Sequence, residues 1–381
     1  MQVLTITPFF PSAQDDSQGC FIAEPLLWTE RIGIANQILA VQPFYRGRSR
    51  PGVSNPAATW MRYPSLPGGL GLPTAGTFLF ARVLATIRRL QKAGLIDLIH
   101  AHAPLPCGHA AMLLNRELGL PYVVTVHGLD AFSRNQVAGW VGEWCAKITR
   151  AVYQSARLVI CISEHVRQRV LVGAPDAATT IVYNGADPGM FWPDPSGQSS
   201  GKPTVVSVGN LIPIKGHELL IRAVAACVGR HEDLRCEIVG DGPERDRLKL
   251  LAKELNIPDR VAFLRRQSRS ALARTLQRAT LLALPSRYEG LGCVYLEAMA
   301  CEKVAIGCRG QGIEEIIHHG DNGWLVGQES VDELAAGLDT LLQNFELRNS
   351  IGIRARRTIL EGFTLEHQAE RLARVYRESL A

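Results

Sequence analysis

The sequence has no apolar run that could cross a membrane, because no segment approaches the roughly 18 uninterrupted apolar residues that a span needs. Its first residues, MQVLTITPFFPS, have neither a basic start nor a cleavage site, so we expect no signal peptide. The nine cysteines lack the paired spacing of a zinc site or a disulfide framework. We therefore expect reduced thiols and a cytoplasmic protein.

Several ligand-binding motifs are also missing. There is no Walker pattern, no G-x-G-x-x-G after the first predicted strand, and no Asp-x-Asp at a predicted strand end. These absences exclude a P-loop nucleotidase, disfavour a dinucleotide oxidoreductase and leave nothing that requires a divalent metal. His100 and His102 alternate on a predicted strand end as a metal pair would, but structural or acceptor-side hydrogen bonding explains them better.

Length and charge are those of a soluble protein with an uneven charge distribution. At 381 residues, the chain exceeds the size at which one hydrophobic core stops growing, so we expect two domains. The net charge of +5 lies wholly in residues 1–190, which hold 16 Lys and Arg against 11 Asp and Glu. That half faces an acidic partner, or the modest excess arises by chance. We expect no nucleic-acid partner.

Short apolar runs alternate with helical runs along the whole chain. Strand patterns such as VVTV and VVSV are continuously apolar or uncharged, which indicates burial on both faces of a parallel sheet. The segment PDPSGQSSGKP, rich in Pro, Gly and Ser, separates two such series and is predicted to be a linker. The sequence thus predicts an α/β protein with two Rossmann-like, doubly wound domains facing a cleft. Their predicted bounds are 1–191 and 204–362, with the linker at 192–203.

The stretch LPSRYEGLGCVYLEAMAC, residues 284–301, carries two carboxylates beside a glycine-bearing turn. We predict a buried strand that ends at ALPS and a helix that begins near Leu291. The first amides of a helix have no acceptor within it and, with the helix dipole, attract an anion. Glu289 and Glu297 then suit a ligand with both phosphate and hydroxyl groups. Taken alone, a solvated loop residue and an exposed helical residue explain the two glutamates slightly better.

A lysine in the same half of the chain favours the ligand-binding interpretation. The segment VGNLIPIKGHELLI places Lys215 at a predicted helix start, where its charge opposes the helix dipole unless an anion lies between them. A second anion-binding element in one domain indicates a diphosphate.

Together these motifs resemble those of glycosyltransferase family 4 (group 1), the retaining enzymes with the GT-B fold. The resemblance covers essentially the whole chain and rests on PSRYEGLGCVYLEAMAC, VGNLIPIKG, EIVGDGPERDRL, VTVHGLD and VYNGADPGMF. The Glu-x7-Glu spacing followed by GIEEIIHHGDNGWLV is highly specific in combination. The resemblance implies a C-terminal domain that binds a nucleotide-sugar and an N-terminal domain that binds the acceptor. It also implies that a last helix, 363–381, packs back on the N-terminal domain.

The resemblance further implies roles for individual residues. Glu289 would contact the donor sugar, Lys215 would neutralise the diphosphate leaving group, and His127 would reach the transferred sugar from the acceptor side. Glu297 would bind the ribose hydroxyls. The other donor-binding residues would be Leu291, Gly292, Cys293, Gly19, Gly240 and Asn210.

Three places depart from the family pattern. Many members have arginine where Asn210 stands, and two glycines where this chain has Gln18 and Gly19. A glycine is also common where Arg265 stands, in a loop that would flank the nucleobase. The first departure removes a cation from the expected diphosphate site, and the second weakens the case for the first loop.

Two other functions remain open: a nucleotide-sugar epimerase of the same architecture, and a non-catalytic subunit that binds sugar nucleotides. Epimerases do not carry this Glu-x7-Glu context, and intact Glu289, Lys215 and His127 argue against a non-catalytic subunit. We therefore expect a hexosyltransferase-type enzyme that moves a sugar from a nucleotide-diphosphate-sugar to a glycan or lipid-linked glycan. We expect it to act in cell-surface or exopolysaccharide biosynthesis, with no metal or other cofactor.

A lipid-linked acceptor leads to a prediction about the membrane. The segment SLPGGLGLPTAG offers Leu66, Leu70 and Leu72. The predicted helix after it sets apolar residues against basic ones, namely Phe78, Leu79, Val83, Leu84 and Ile87 against Arg82, Arg88, Arg89 and Lys92. Such a helix can lie in the headgroup plane, although packing on its own sheet explains the same pattern. We expect peripheral contact with the anionic inner face of the plasma membrane.

Overall fold

The computed structural model describes residues 1–13, 15–46, 56–66, 70–131, 137, 139–194 and 201–381. Within these ranges the chain forms two compact units. The first unit comprises Met1–Asn184 and Leu365–Ala381, and the second comprises Gly185–Thr364. Part of the predicted linker, 195–200, and residues 67–69 of the leucine-bearing segment lie outside the described residues.

The first unit contains a parallel sheet in the strand order β3-β2-β1-β4-β5-β6-β7. Its strands are β1 (Gln2–Thr7), β2 (Ala35–Pro43), β3 (Thr59–Tyr63), β4 (Leu98–His102), β5 (Tyr122–Val126), β6 (Leu158–Cys161) and β7 (Thr179–Ile181). The helices of this unit are α1 (Cys20–Arg31), α2 (Gly71–Lys92), α3 (His109–Leu118), α4 (Gly139–Ser155), α5 (Glu164–Gly173) and α12 (Leu365–Leu380).

The second unit contains a parallel sheet in the strand order β10-β9-β8-β11-β12-β13. Its strands are β8 (Thr204–Val208), β9 (Arg235–Val239), β10 (Val261–Leu264), β11 (Leu281–Ala283), β12 (Val304–Cys308) and β13 (Trp324–Val326). The helices of this unit are α6 (His217–Cys227), α7 (Arg245–Glu254), α8 (Arg269–Arg278), α9 (Cys293–Ala300), α10 (Val331–Gln343) and α11 (Phe345–Gly362).

The central strands are buried on both faces, as their continuous patterns predicted. Every residue of β5 and of β12 is buried. Strand β3 was not predicted, because its sequence TWMRY mixes polar and apolar residues at the sheet edge and most of it is only partly buried. The parallel order brings the carboxyl ends of neighbouring strands to one edge of each sheet, where the following loops meet.

The last helix, α12, packs within the first unit. It contacts α1, and its Tyr376 is fully buried in a cluster with Val3, Ile34 and Leu98. The segment 185–191, placed in the first domain by the sequence, groups instead with the second unit. Its Ala186 amide donates to the carbonyl of Phe363 at 2.9 Å, which fixes it to the end of α11.

Candidate active site

Lys215 and Glu289 meet at the carboxyl ends of two neighbouring strands in the second unit. Lys215 ends a short 3-10 turn after β8, and Glu289 lies in the loop between β11 and α9. The ammonium Nζ of Lys215 donates to Oε2 of Glu289 at 2.5 Å, and the side chains are only 20% and 12% exposed. The carboxylate therefore supplies the countercharge that the lysine was predicted to need at this helix start. Glu289 is not a solvated loop residue.

The loop that carries Glu289 is fixed from a third strand. The Glu289 amide donates to Oε1 of Gln311 at 2.7 Å, and Nε2 of Gln311 donates to the Arg287 carbonyl at 3.2 Å. The Gly312 amide donates to the Glu289 carbonyl at 3.2 Å. Gln311 is buried after β12, and its side-chain amide holds the backbone that leads into Glu289, while the Gly312 amide holds the Glu289 carbonyl.

The start of α9 lies directly beside this carboxylate. A Cβ at Gly292 would come within 3.1 Å of Cγ of Glu289, so the residue that precedes the helix packs against this side chain. The helix begins at Cys293 and not near Leu291 as predicted, because Gly292 has a φ of 78° that interrupts the helical geometry. Tyr295, one turn into the helix, donates its hydroxyl to the Leu284 carbonyl at 2.6 Å and so ties α9 to the end of β11.

Glu297 is buried and ion-paired. It is 3% exposed, and its Oε1 accepts from Nη1 of Arg269 at 2.7 Å. The Arg269 guanidinium also lies 4.9 Å from the centre of the Phe191 ring. The alternative of an exposed helical glutamate is therefore wrong. A buried carboxylate needs such a partner, since an unpaired buried charge is strongly unfavourable.

Asn210 and Gly240 lie in two loops that touch each other. Gly240 has a φ of 145°, and a Cβ there would lie 2.0 Å from the Gly209 carbonyl oxygen, so only glycine permits this approach. The exposed Asn210 accepts at Oδ1 from Nη2 of Arg266 at 3.1 Å. The side-chain carbons of Lys215 are 3.7 Å from the position that a Cβ at Gly209 would take. Arg266 and Lys215 thus approach neighbouring residues of one short loop.

A second arginine fixes the loops that position Arg266. Nη2 of Arg245 donates to the Gly240 carbonyl at 2.8 Å, to Oδ1 of Asp241 at 3.0 Å and to the Leu264 carbonyl at 3.1 Å. These contacts tie the end of β9 to the end of β10. Arg266 is the second residue after β10, so the same contacts hold the backbone that carries it. Its side chain therefore spans the width of β9 to reach Asn210 after β8.

His127 follows β5 in the first unit and lies among other histidines. Its Nε2 is 3.0 Å from Nδ1 of His102, and its backbone amide donates to both carboxylate oxygens of Asp130 at 2.9 and 3.0 Å. The edge of the ring contacts Phe21, with ring centres 4.8 Å apart. Burial lowers the pKa of His127 to about 3, so the imidazole is neutral at physiological pH, and one of the two rings donates its N–H to the other.

His100 is hydrogen-bonded at both ring nitrogens. Its Nδ1 lies 2.7 Å from the Tyr376 hydroxyl and its Nε2 lies 2.6 Å from Oγ1 of Thr125. It thereby links β4 and β5 to α12. Among the described residues, no group of three or more His, Cys, Asp or Glu side chains is arranged to hold a metal ion.

Gly19 immediately precedes α1 and packs tightly against the loop after β1. A Cβ at this position would come within 2.5 to 2.7 Å of the backbone of Phe9 and Phe10. Packing alone therefore requires glycine here, and the predicted contact with a diphosphate stays a prediction.

Comparison with known proteins identifies the family. Family models described as "Glycosyl transferases group 1" and "Glycosyltransferase Family 4" match residues 191–358 and 40–189. The chain is 31% identical over 330 residues to the D-inositol 3-phosphate glycosyltransferase of Nocardia farcinica, covering 81% of this chain and 72% of that protein. The chain is a family 4 (group 1) glycosyltransferase.

Two further comparisons extend this result. The glycosyltransferase is 28% identical over 308 residues to the GDP-mannose-dependent alpha-(1-6)-phosphatidylinositol monomannoside mannosyltransferase of Mycolicibacterium smegmatis, covering 76% of this chain and 79% of that protein. The crystal structure of HepE from Anabaena in complex with UDP-glucose superposes with a TM-score of 0.78 at 19% identity, covering 99% of this chain and 100% of that one. The predicted fold of two Rossmann-like domains of the GT-B type is confirmed.

Three side chains of the glycosyltransferase site were missed from the sequence: Arg266, Arg269 and Gln311. Arg269 could have been found, because it stands in the first turn of α8, where a cation opposes the helix dipole just as Lys215 does. Arg266 and Gln311 carry no such local signal.

No helix of the described residues is long and apolar enough to cross a membrane.

Proposed function

We propose that this glycosyltransferase moves a hexosyl group from a nucleotide-diphosphate-sugar to a glycan or lipid-linked glycan, with retention of configuration and without a metal. Cell-surface or exopolysaccharide biosynthesis is the proposed setting. The observation that carries the proposal is the Lys215–Glu289 ion pair at 2.5 Å beside the start of α9. This pair brings a cation and a carboxylate together beside the N-terminus of a helix, a combination that suits a sugar joined to a diphosphate.

Departure of the nucleoside diphosphate is the step that these cations assist. When the bond from the sugar carbon to the phosphate oxygen breaks, negative charge grows on the diphosphate. Lys215 and the amides of Leu291, Gly292 and Cys293 are proposed to stabilise that charge. Arg266, held at Asn210, takes the role that an arginine at the Asn210 position would have. These fixed positive groups supply the charge that a metal ion would otherwise provide.

Glu289 and His127 act on the sugar in this proposal. When the diphosphate draws the Lys215 ammonium toward itself, the Glu289 carboxylate is released to accept hydrogen bonds from sugar hydroxyls. Glu297 keeps one oxygen on Arg269, and its other oxygen is proposed to accept from the ribose. His127, neutral because burial lowers its pKa, is proposed to donate to the transferred sugar from the acceptor side.

The relatives are named for different acceptors and donors, and they bear on both sides of the proposed reaction. The Nocardia relative is named for an inositol phosphate acceptor and the Mycolicibacterium relative for a phosphatidylinositol-linked one. The latter name supports a lipid-linked acceptor for this chain. A donor panel must include both UDP- and GDP-sugars, since HepE was solved with UDP-glucose and the mannosyltransferase is named for GDP-mannose.

The test is release of nucleoside diphosphate from that panel, with and without a lipid-linked acceptor extract. We expect one donor to react faster with acceptor, with equal rates in chelator, and a product whose anomeric proton coupling matches that of the donor. An epimerised donor without transfer would favour the epimerase. Donor binding without turnover would favour a non-catalytic subunit. Loss of activity in chelator with recovery in manganese would contradict metal independence.

A further inference from the structure

The apolar face of α2 is not available to a membrane. Leu79 and Val83 are fully buried and Ile87 is 1% exposed, so this stripe packs inside the first unit. The part of the sequence prediction that used these residues is wrong, because the helix must cover its own sheet. Of the large apolar residues that the prediction placed on this helix, only Phe78 is well exposed, with a relative exposure of 41%.

Other large apolar side chains are exposed close to the start of α2. Trp140 is 68% exposed and Trp144 is 39% exposed, and their rings stack on the outer side of α4 with centres 6.5 Å apart. Leu66 and Leu70, just before α2, are also exposed. We define the aromatic patch as Leu66, Leu70, Phe78, Trp140 and Trp144.

Packing beneath the surface joins the two parts of this patch. Leu72, in the first turn of α2, packs against the buried cluster of Leu105, Val141 and Cys145. Val141 lies between the two tryptophans in sequence, so the N-terminal turns of α2 and α4 are neighbours. The Leu66 carbonyl packs directly against Gly71, which holds that leucine at the same end of α2.

The two helices that carry the patch are strongly basic. Helix α2 has four basic residues and no acidic one, and α4 has Lys147 and Arg150 against Glu143. Arg82 and Arg89 are exposed on the same side of α2 as Phe78, and Lys147 and Arg150 are exposed on α4. Tryptophan, with an apolar ring and a polar N–H, favours the interface between lipid and water, and basic residues favour anionic headgroups.

We propose that the aromatic patch docks on an anionic lipid bilayer, with Trp140 and Trp144 inserted at headgroup depth and the basic residues of α2 and α4 on the phosphates. This inference rests on the proposed function, since a lipid-linked acceptor brings the enzyme to a membrane. Arg88 is paired with Glu117, and the other exposed basic residues of the two helices include Arg82, Arg89, Lys147 and Arg150. A second copy of the chain is a poorer occupant, because a symmetric contact would bring these like charges of both copies together.

Co-sedimentation with vesicles tests the proposal. Wild-type protein and the double variant Trp140→Ser/Trp144→Ser are mixed with phosphatidylglycerol-containing or pure phosphatidylcholine vesicles at low and high salt. The matched control is Trp192→Ser, which removes an exposed tryptophan of the second unit. We expect salt-sensitive binding of wild type and control to anionic vesicles only, and a loss of partitioning of about tenfold or more in the double variant.

Other outcomes would overturn the inference. These are negligible binding in all four conditions, unchanged binding of the double variant, or a wild-type dimer that the double variant abolishes without any vesicle binding. Circular dichroism and nucleoside diphosphate release from the donor check that each variant is folded. Vesicle binding without transfer to any acceptor would instead contradict the proposed function and leave the docking surface standing.

Discussion

In the proposed function Lys215 pairs with either of two anions, the Glu289 carboxylate and the diphosphate, and we expect their competition to set how single residues affect ligand binding. Its ammonium pairs with Glu289 in a partly buried position, so the pair contributes more than an exposed ion pair would. A diphosphate must draw the same ammonium away from the carboxylate or share it. Affinity for the nucleotide and contact with the sugar are therefore coupled through one nitrogen atom.

Replacing Lys215 with alanine should weaken binding of the free nucleoside diphosphate about 10- to 150-fold, the equivalent of a charge-assisted hydrogen bond of about 1.5–3 kcal/mol. Isothermal titration calorimetry measures the change. The control is Lys202→Ala, which removes an exposed lysine paired with Asp233 in the same unit. Equal affinities of both variants and wild type would show that Lys215 does not contact the diphosphate.

Residue-scale features were predictable where they had a local signal. Lys215 and Glu289 were found because each stands at a strand end followed by a helix start. Arg266 is 56 residues from Asn210, and Gln311 is 22 residues from Glu289. Those contacts depend on which strands are neighbours in the sheet, and a short stretch of sequence does not determine that order.

At the scale of secondary-structure elements, one ion pair joins α8 to α9, the helix that follows the proposed donor-binding loop. Arg269 at the start of α8 pairs with Glu297 inside α9, and the side chains are 11% and 4% exposed. The other end of α8 carries Arg278, paired with Glu237 at the same 2.7 Å but 52% exposed. The same helix therefore offers a buried ion pair and a solvated one.

Arg269→Ala should lower the free energy of unfolding by about 3–5 kcal/mol, because it leaves a buried carboxylate without its countercharge. Arg278→Ala should lower it by less than about 1 kcal/mol, since a surface pair contributes little. Urea denaturation of both variants gives the comparison. Equal and small effects would mean that water or another group compensates Glu297.

Element boundaries were harder to predict than the elements themselves. The alternation of apolar runs and helical patterns gave most strands of both sheets, yet α9 starts two residues later than predicted because of Gly292. Strand β3 was missed because an edge strand need not be apolar. Helix α2 was predicted as amphipathic, but only its packing shows which apolar residues are covered.

At the scale of the whole molecule, buried neutral histidines in both units make the fold sensitive to acid. Burial lowers the pKa of His100 to about 3 and that of His217 to about 4, and holds the pKa of His102 well below its usual value. In the unfolded chain these groups titrate near about 6.5. Below that pH the unfolded state binds more protons than the folded state, so acid favours unfolding.

The free energy of unfolding should therefore be constant with respect to these groups above about pH 6.5 and fall toward about pH 4, by about 1.4 kcal/mol per pH unit for each histidine. Denaturant unfolding across that range measures the slope. In His217→Gln the free energy of unfolding should fall less steeply with pH, by about 1.4 kcal/mol per pH unit, because one histidine fewer takes up a proton on unfolding. An unchanged slope in that variant would show that His217 does not take up its proton on unfolding.

The two-domain α/β fold was predictable from length and from the repeated strand–helix alternation. The exact division was not, because the segment 185–191 follows the last strand of the first sheet but packs with the second unit. The family resemblance rested on motifs at strand ends, and the structure brings the motifs of the second unit together around Lys215 and Glu289. The central claim is the proposed chemistry, in which Lys215 binds the diphosphate and Glu289 contacts the donor sugar.

That claim is tested most directly by Glu289→Ala, assayed for turnover of the donor identified in the panel and for affinity toward the free nucleoside diphosphate. The account predicts that turnover falls by a large factor, because the sugar loses its carboxylate. Nucleotide affinity should stay the same or rise, since Lys215 is freed from its competing partner. A variant that loses nucleotide binding while it keeps wild-type turnover would contradict the account.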